Sequence, residues 1–168
     1  LPYYAMRFVQ GTTMKDAIRQ LHSGSIEKWS TGLAYQLLRS LINVCDTVSF
    51  AHSRNIVHRD LKSGNIMLGE YGETLVLDWG LAKKLREAER GPSKEIAPDF
   101  SSDALQATRT GSTIGTIAFM SPEQALGNWI KVDFQSDQFS LGAILYQILT
   151  GQVPYHGPNS LTFAQRAE

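Results

Sequence analysis

Between Thr31 and Arg54 the apolar residues Leu33, Leu37, Leu38, Leu41, Ile42, Cys45 and Val48 recur at steps of three and four. That spacing predicts a long helix with one face toward a core, and it is the most strongly patterned element of the chain. A second run, "SDQFSLGAILYQILTG" from Ser136 to Gly151, is apolar nearly all round. It predicts a deeply buried helix, capped in front by Ser136 and stopped by Gly151. Shorter signals fill the space between. "YYAMRFVQG" is strand-like and ends at Gly11, after which "TTMKDAI" offers Thr13 and Asp16 as a helix-start box. "NIVHRD" predicts a brief extended piece, and "NIML" and "TLVLD" predict two short strands joined by a turn from Glu70 to Glu73 that contains Gly72. "SPEQAL" suggests a short helix with Pro122 in its first turn. After Leu85 the pattern dissolves into "REAERGPSKEIAPDFSSDALQATRTGS", which reads as a mobile surface segment. No internal repeat is present, and helices outnumber strands.

Composition narrows the class. The chain has 168 residues, 42% hydrophobic and 19% charged, enough for about one globular domain. Sixteen basic residues balance sixteen acidic ones, which argues against a nucleic-acid binder or a polybasic membrane anchor and for a small or locally recognised partner. The single cysteine, Cys45, rules out an internal disulfide framework, fits a reducing compartment and reads as a buried core thiol. The longest apolar run, "LGAILYQIL", is too short to span a membrane. The expectation is a cytoplasmic segment without membrane contact of its own, whatever anchor lies outside it.

The chemistry concentrates in "HRDLKSGN", residues 58 to 65, which sets an acid, a lysine and an amide on one short loop. Asp60 beside a cleft can orient a hydroxyl and accept its proton. Lys62 adds a fixed positive charge where negative charge moves during group transfer. Asn65 offers a neutral oxygen suited to magnesium, and Asp78, just past the next strand, a charged one. A base, a cation and two metal ligands suit phosphoryl transfer from a nucleotide.

These residues carry a resemblance. "HRDLKSGN" is similar to the H-R-D-L-x-x-x-N catalytic loop of protein kinases, "DWG" at 78 to 80 stands where that family has D-F-G, and "SPE" at 121 to 123 where it has A-P-E. "GTIAFMSPEQA", with a lysine two after the catalytic aspartate, resembles serine/threonine kinases of the bacterial Hanks type. The implied fold is α+β, a protein-kinase-like large lobe that is mainly helical with short β-hairpins. The resemblance makes residues 1–168 a partial kinase domain, with 1–11 as the hinge region, 12–168 as an incomplete large lobe and 78–123 as the activation segment. It implies Asp60 as base, Lys62 at the transferred phosphate, Asn65 and Asp78 on Mg2+ (or Mn2+), and Thr116 where the substrate hydroxyl enters. For ATP it implies Met6 as gatekeeper, the backbone of Arg7 and Val9 at adenine, Met67 beneath the ring and Asp16 at the ribose. Arg59 would pair with a phosphate on Thr108 or Thr110, with Ser112 and Thr113 as weaker alternatives, and two copies would meet for trans-autophosphorylation. Protein substrates would present Ser or Thr. Asp137 would hold the catalytic-loop backbone, and His58 would be a packing residue.

Departures from the pattern matter too. The G-x-G-x-x-G loop, the strand lysine and its helix glutamate are not among these residues, nor are the later helices of the large lobe, so the chain alone is expected to lack activity. Trp79 replaces the phenylalanine of D-F-G. The competing class is a pseudokinase or kinase-like scaffold that binds without turnover. Lys84, Arg86 and Arg90 read as a solvated charge run.

Overall fold

The computed structural model describes residues 10–23, 32–85 and 117–155. Strand β1 (Thr12–Thr13) leads directly into helix α1 (Met14–His22). Thr13 is the N-cap: its hydroxyl accepts from the Asp16 amide and donates to Asp16 Oδ2 at 2.6 Å, the start box expected from the sequence. Gly11 lets β1 approach its neighbour, since its φ is +143° and a Cβ there would lie 2.4 Å from the Leu68 carbonyl oxygen. Helix α2 (Leu33–His52) follows, then β2 (Ile56–Val57), a 3-10 turn at Ser63–Asn65, β3 (Ile66–Leu68) and β4 (Thr74–Val76). A second 3-10 turn (Trp79–Leu81) and β5 (Lys83–Lys84) end this stretch, and helices α3 (Pro122–Ala125) and α4 (Phe134–Thr150) complete the described chain.

Two small antiparallel sheets result. One has the order β1-β3-β4, with Thr13 opposite Met67 and Ile66 opposite Val76; the other pairs Ile56 with Lys84 and Val57 with Lys83. The two strands expected around Gly72 are therefore β3 and β4. The core joins α1, α2 and α4 through Met14, Ile18, Leu37, Val44, Ile144 and Ile148, with Leu61 and Ile66 bringing the loop chemistry onto it.

Three expectations need correction. Cys45 is exposed, and Ile42 is 61% exposed, because the inward stripe of α2 runs through Ala34, Leu37, Leu41, Val44, Val48 and Ala51 and leaves both on the outer side. Helix α4 is not buried all round among the described residues. It buries one stripe, Ser136, Asp137, Ser140, Ala143, Ile144, Gln147 and Ile148, while Leu145, Tyr146 and Leu149 face outward. Its N-cap is Asp133, whose side chain accepts from the Gln135 amide; the Ser136 hydroxyl instead donates to Glu123. Gly151 stops the helix in the left-handed conformation, as expected. Among the described residues no helix is long and apolar enough to cross a membrane.

Candidate active site

The loop 58–65 leaves β2 and is held from beneath by α4. Asp137, 1% exposed, accepts from the His58 amide (2.9 Å) and the His52 ring (2.8 Å) through Oδ2, and from the Arg59 amide (2.9 Å) through Oδ1. This is the backbone tie expected of Asp137, and His52 is a third donor that the sequence did not reveal. The grip matters because Arg59 has φ +74°, a left-handed conformation that a non-glycine residue adopts only when its surroundings enforce it. Gln124 adds a clamp from the far side, its Nε2 donating to the Arg59 carbonyl at 2.7 Å.

Beyond that turn the acid, the lysine and the amide converge. Lys62 Nζ lies 2.8 Å from Asp60 Oδ2, and Asn65 Nδ2 donates to the same oxygen at 3.0 Å and to the Asp60 carbonyl at 2.9 Å. One carboxylate oxygen is thus fixed by two donors, while Oδ1 accepts no hydrogen bond among the described residues. Because the Asn65 amide nitrogen is committed to Asp60, its Oδ1 is left as an acceptor. The Asn65 carbonyl accepts from the Leu77 amide at 2.8 Å, which extends the β3–β4 pairing and sets Asp78 at the end of the hairpin beside Asn65. Asp78 is exposed, with φ +61° and ψ +62°, and its carboxylate makes no hydrogen bond or ion pair among the described residues. A neutral amide oxygen and an unencumbered carboxylate fit a hard divalent cation. They are two ligands, and among the described residues no cluster of three or more His, Cys, Asp or Glu would hold a metal without help from a ligand.

His58 ties the two halves together. Its Nε2 meets the Leu77 carbonyl at 3.1 Å and its Nδ1 the Asp60 amide at 3.2 Å, so the ring is neutral with the proton on Nε2. The Trp79 ring sits 4.5 Å away between centroids and donates from Nε1 to the Val76 carbonyl at 3.0 Å. Burial pushes the His58 pKa below its ordinary 6.5, against the Leu77 hydrogen bond and the nearby carboxylates of Asp137, Asp60 and Asp78, which pull it up. With the folded pKa depressed, the unfolded chain binds the extra proton, so the stability from neutral His58 is complete above about pH 6.5 and is lost as pH falls through the lower folded value. Thermal unfolding should show this decline, and His58→Asn, whose amide oxygen can take the place of Nδ1 without titrating, should flatten it.

Comparison with known proteins decides the family. Residues 3–167 match the protein kinase domain model. The chain belongs to the protein kinase family. Among curated kinases it is 41% identical over 160 residues to serine/threonine-protein kinase PknD of Protochlamydia amoebophila, an alignment covering 91% of this chain and 16% of that protein. It is 34% identical over 164 residues to PknB of Mycolicibacterium smegmatis and 32% identical to PknB of Mycobacterium leprae, in both cases covering 98% of this chain and 22% of the relative. The chain therefore spans about a fifth of the length of these curated relatives.

Within this kinase domain the remaining expected residues fall into two groups. Met67 is half-buried on β3 opposite Thr13, and Asp16 stands in the first turn of α1, its Oδ1 paired with Arg19 at 2.9 Å. Met6, Arg7, Val9, Thr108, Thr110, Ser112, Thr113 and Thr116, together with Arg86, Arg90 and the segment expected to be mobile, lie outside the described residues. Arg59 lies over the Trp129 ring at 4.9 Å, and its Nε is buried without a hydrogen bond among the described residues. Lys83 adds a cation that went unnoticed in the sequence: burial, and then the neighbouring Arg59, push its pKa down. Lys84 is exposed on β5. Nothing in the local sequence marks Lys83, because its nearness to Arg59 depends on the pairing of β2 with β5.

Proposed function

We propose that this chain is the phosphotransfer segment of a serine/threonine protein kinase, carrying the γ-phosphoryl group of ATP to a hydroxyl of a protein substrate. The observation that carries the reading is Asp60, with one oxygen fixed by Lys62 and Asn65 and the other accepting no hydrogen bond among the described residues. That second oxygen accepts the substrate proton, and Lys62 is placed to compensate charge on the transferred group. Asn65 Oδ1 and the Asp78 carboxylate would hold magnesium, with manganese as the other candidate; when bound, the metal neutralises phosphate charge. Met67 and Asp16 would face the nucleotide, Asp16 by exchanging its Arg19 or Thr13 contact for a ribose hydroxyl, and Met6, Arg7, Val9 and Thr116 complete the ATP and substrate sites. Calorimetry on the intact protein tests the metal sites. Nucleotide affinity should depend on magnesium, and Asp78→Ala should remove most of that dependence. Equal affinity with and without magnesium in the unmodified protein would instead favour a kinase-like scaffold without turnover.

Regulation follows from the cation pair. Arg59 and Lys83 form a positive site near the start of the segment 78–123, and a phosphate of about −1.5 to −2 charges would make charge-assisted hydrogen bonds there. Autophosphorylation at Thr108 or Thr110, between two copies, is expected to raise activity, and Arg59→Ala to abolish the gain. Mass spectrometry of the active protein checks this. Full activity in a Thr108→Ala, Thr110→Ala double variant would remove phosphorylation as the switch.

A further inference from the structure

Away from the loop, α1 and the end of α4 enclose a cleft of about 480 Å3. Helix α1 contributes Lys15, Ile18, Arg19 and His22, α4 contributes Gln147, and the turn after it contributes Val153. Positions 15, 19 and 22 share one helix face, so three basic side chains are gathered in a chain whose net charge is zero. The wall is preformed: the His22 ring meets the Ile148 carbonyl at 2.9 Å, and a Cβ on Gly151, which has φ +73°, would come within 2.5 Å of that ring. Arg19 shares its charge with Asp16 in an exposed pair, the kind that is weakly held, whereas Lys15 has no ion pair among the described residues.

The decisive atom is Gln147 Oε1. Gln147 is 7% exposed, yet this oxygen is buried without a donor among the described residues. A buried acceptor without a partner is unfavourable and calls for a ligand that brings an N–H or O–H. The cleft therefore asks for an anion and a donor in one molecule, and for an apolar group beside the half-buried Val153. An acidic polypeptide supplies all three through carboxylates, a backbone N–H and side-chain methylenes. We propose that the cleft docks an acidic stretch of the polypeptide substrate, with carboxylates at Lys15 and Arg19 and a peptide N–H on Gln147 Oε1. Only the word substrate rests on the proposed kinase activity.

The test uses fluorescence anisotropy on the intact protein with a labelled, end-capped decapeptide alternating Glu and Gly, beside the same peptide with Lys for Glu. The Glu peptide should bind and the Lys peptide should not. Lys15→Glu, at an exposed position where folding is not at stake, should weaken binding about tenfold, and Gln147→Leu should weaken it through loss of the acceptor. In phosphotransfer to a substrate fused to the Glu stretch, Lys15→Glu should raise KM in proportion while kcat holds. Equal binding of the two peptides, a change under about twofold in Lys15→Glu, or complete displacement by equimolar inorganic phosphate would overturn the docking site. Tight, Lys15-dependent binding in a protein that transfers no phosphate would keep the cleft as a docking site and overturn the proposed activity.

Discussion

Replacing Asp60 with asparagine should lower phosphate transfer by the intact protein about 10²–10⁴-fold, the usual range for loss of a positioned base. The amide preserves the shape of the side chain but cannot accept a proton, and Lys62 loses the anion that now holds its Nζ at 2.8 Å. Nucleotide affinity should stay within a few-fold, because the proposed metal ligands, Asn65 and Asp78, are untouched. Single-turnover transfer of radiolabelled phosphate measures the first quantity and calorimetry the second. Turnover equal to the unmodified protein would sink the role of Asp60 as base.

The largest effect on stability should come from Asp137→Ala. Its carboxylate serves three donors, the amides of His58 and Arg59 and the ring of His52, and it is almost completely buried. Each buried donor left without a partner costs on the order of 1–3 kcal/mol, so the loss should reach about 3–5 kcal/mol. Asp137→Asn should fall between, since one oxygen remains to accept while the new amide nitrogen faces an N–H group. Urea denaturation of the intact proteins gives these differences. A loss below about 1 kcal/mol in the alanine variant would mean that the loop is held elsewhere.

Asp60, Lys62 and Asn65 were legible in the sequence because their encounter is local: a single loop and one 3-10 turn bring them within hydrogen-bond reach. Asp78 was legible for a related reason, since a two-strand hairpin with a short turn has few registers to choose from. The clamps on Arg59 bridge distant parts of the chain: the Asp137 tie was legible only through the family resemblance, and the Gln124 bond was not legible at all. Helix faces were read less well. Steps of three and four in α2 select half of the helix, too wide an arc to separate buried Val44 from exposed Cys45. In α4, hydrophobicity misled because the buried stripe carries Ser136, Asp137, Ser140 and Gln147, of which the first three face inward to bind other parts of the chain. The expected N-cap failed for the same reason, the Ser136 hydroxyl being engaged by Glu123.

Trp79 gives the loop an optical readout. Its indole lies against the His58 ring and is anchored to the Val76 carbonyl, two residues before Asp78. A protonated imidazole in such contact quenches indole emission, whereas a neutral one leaves it bright. With Trp29 and Trp129 changed to phenylalanine, the emission of Trp79 would follow His58 protonation, and any shift of the Asp78 turn when metal-nucleotide arrives, in real time and without an attached dye.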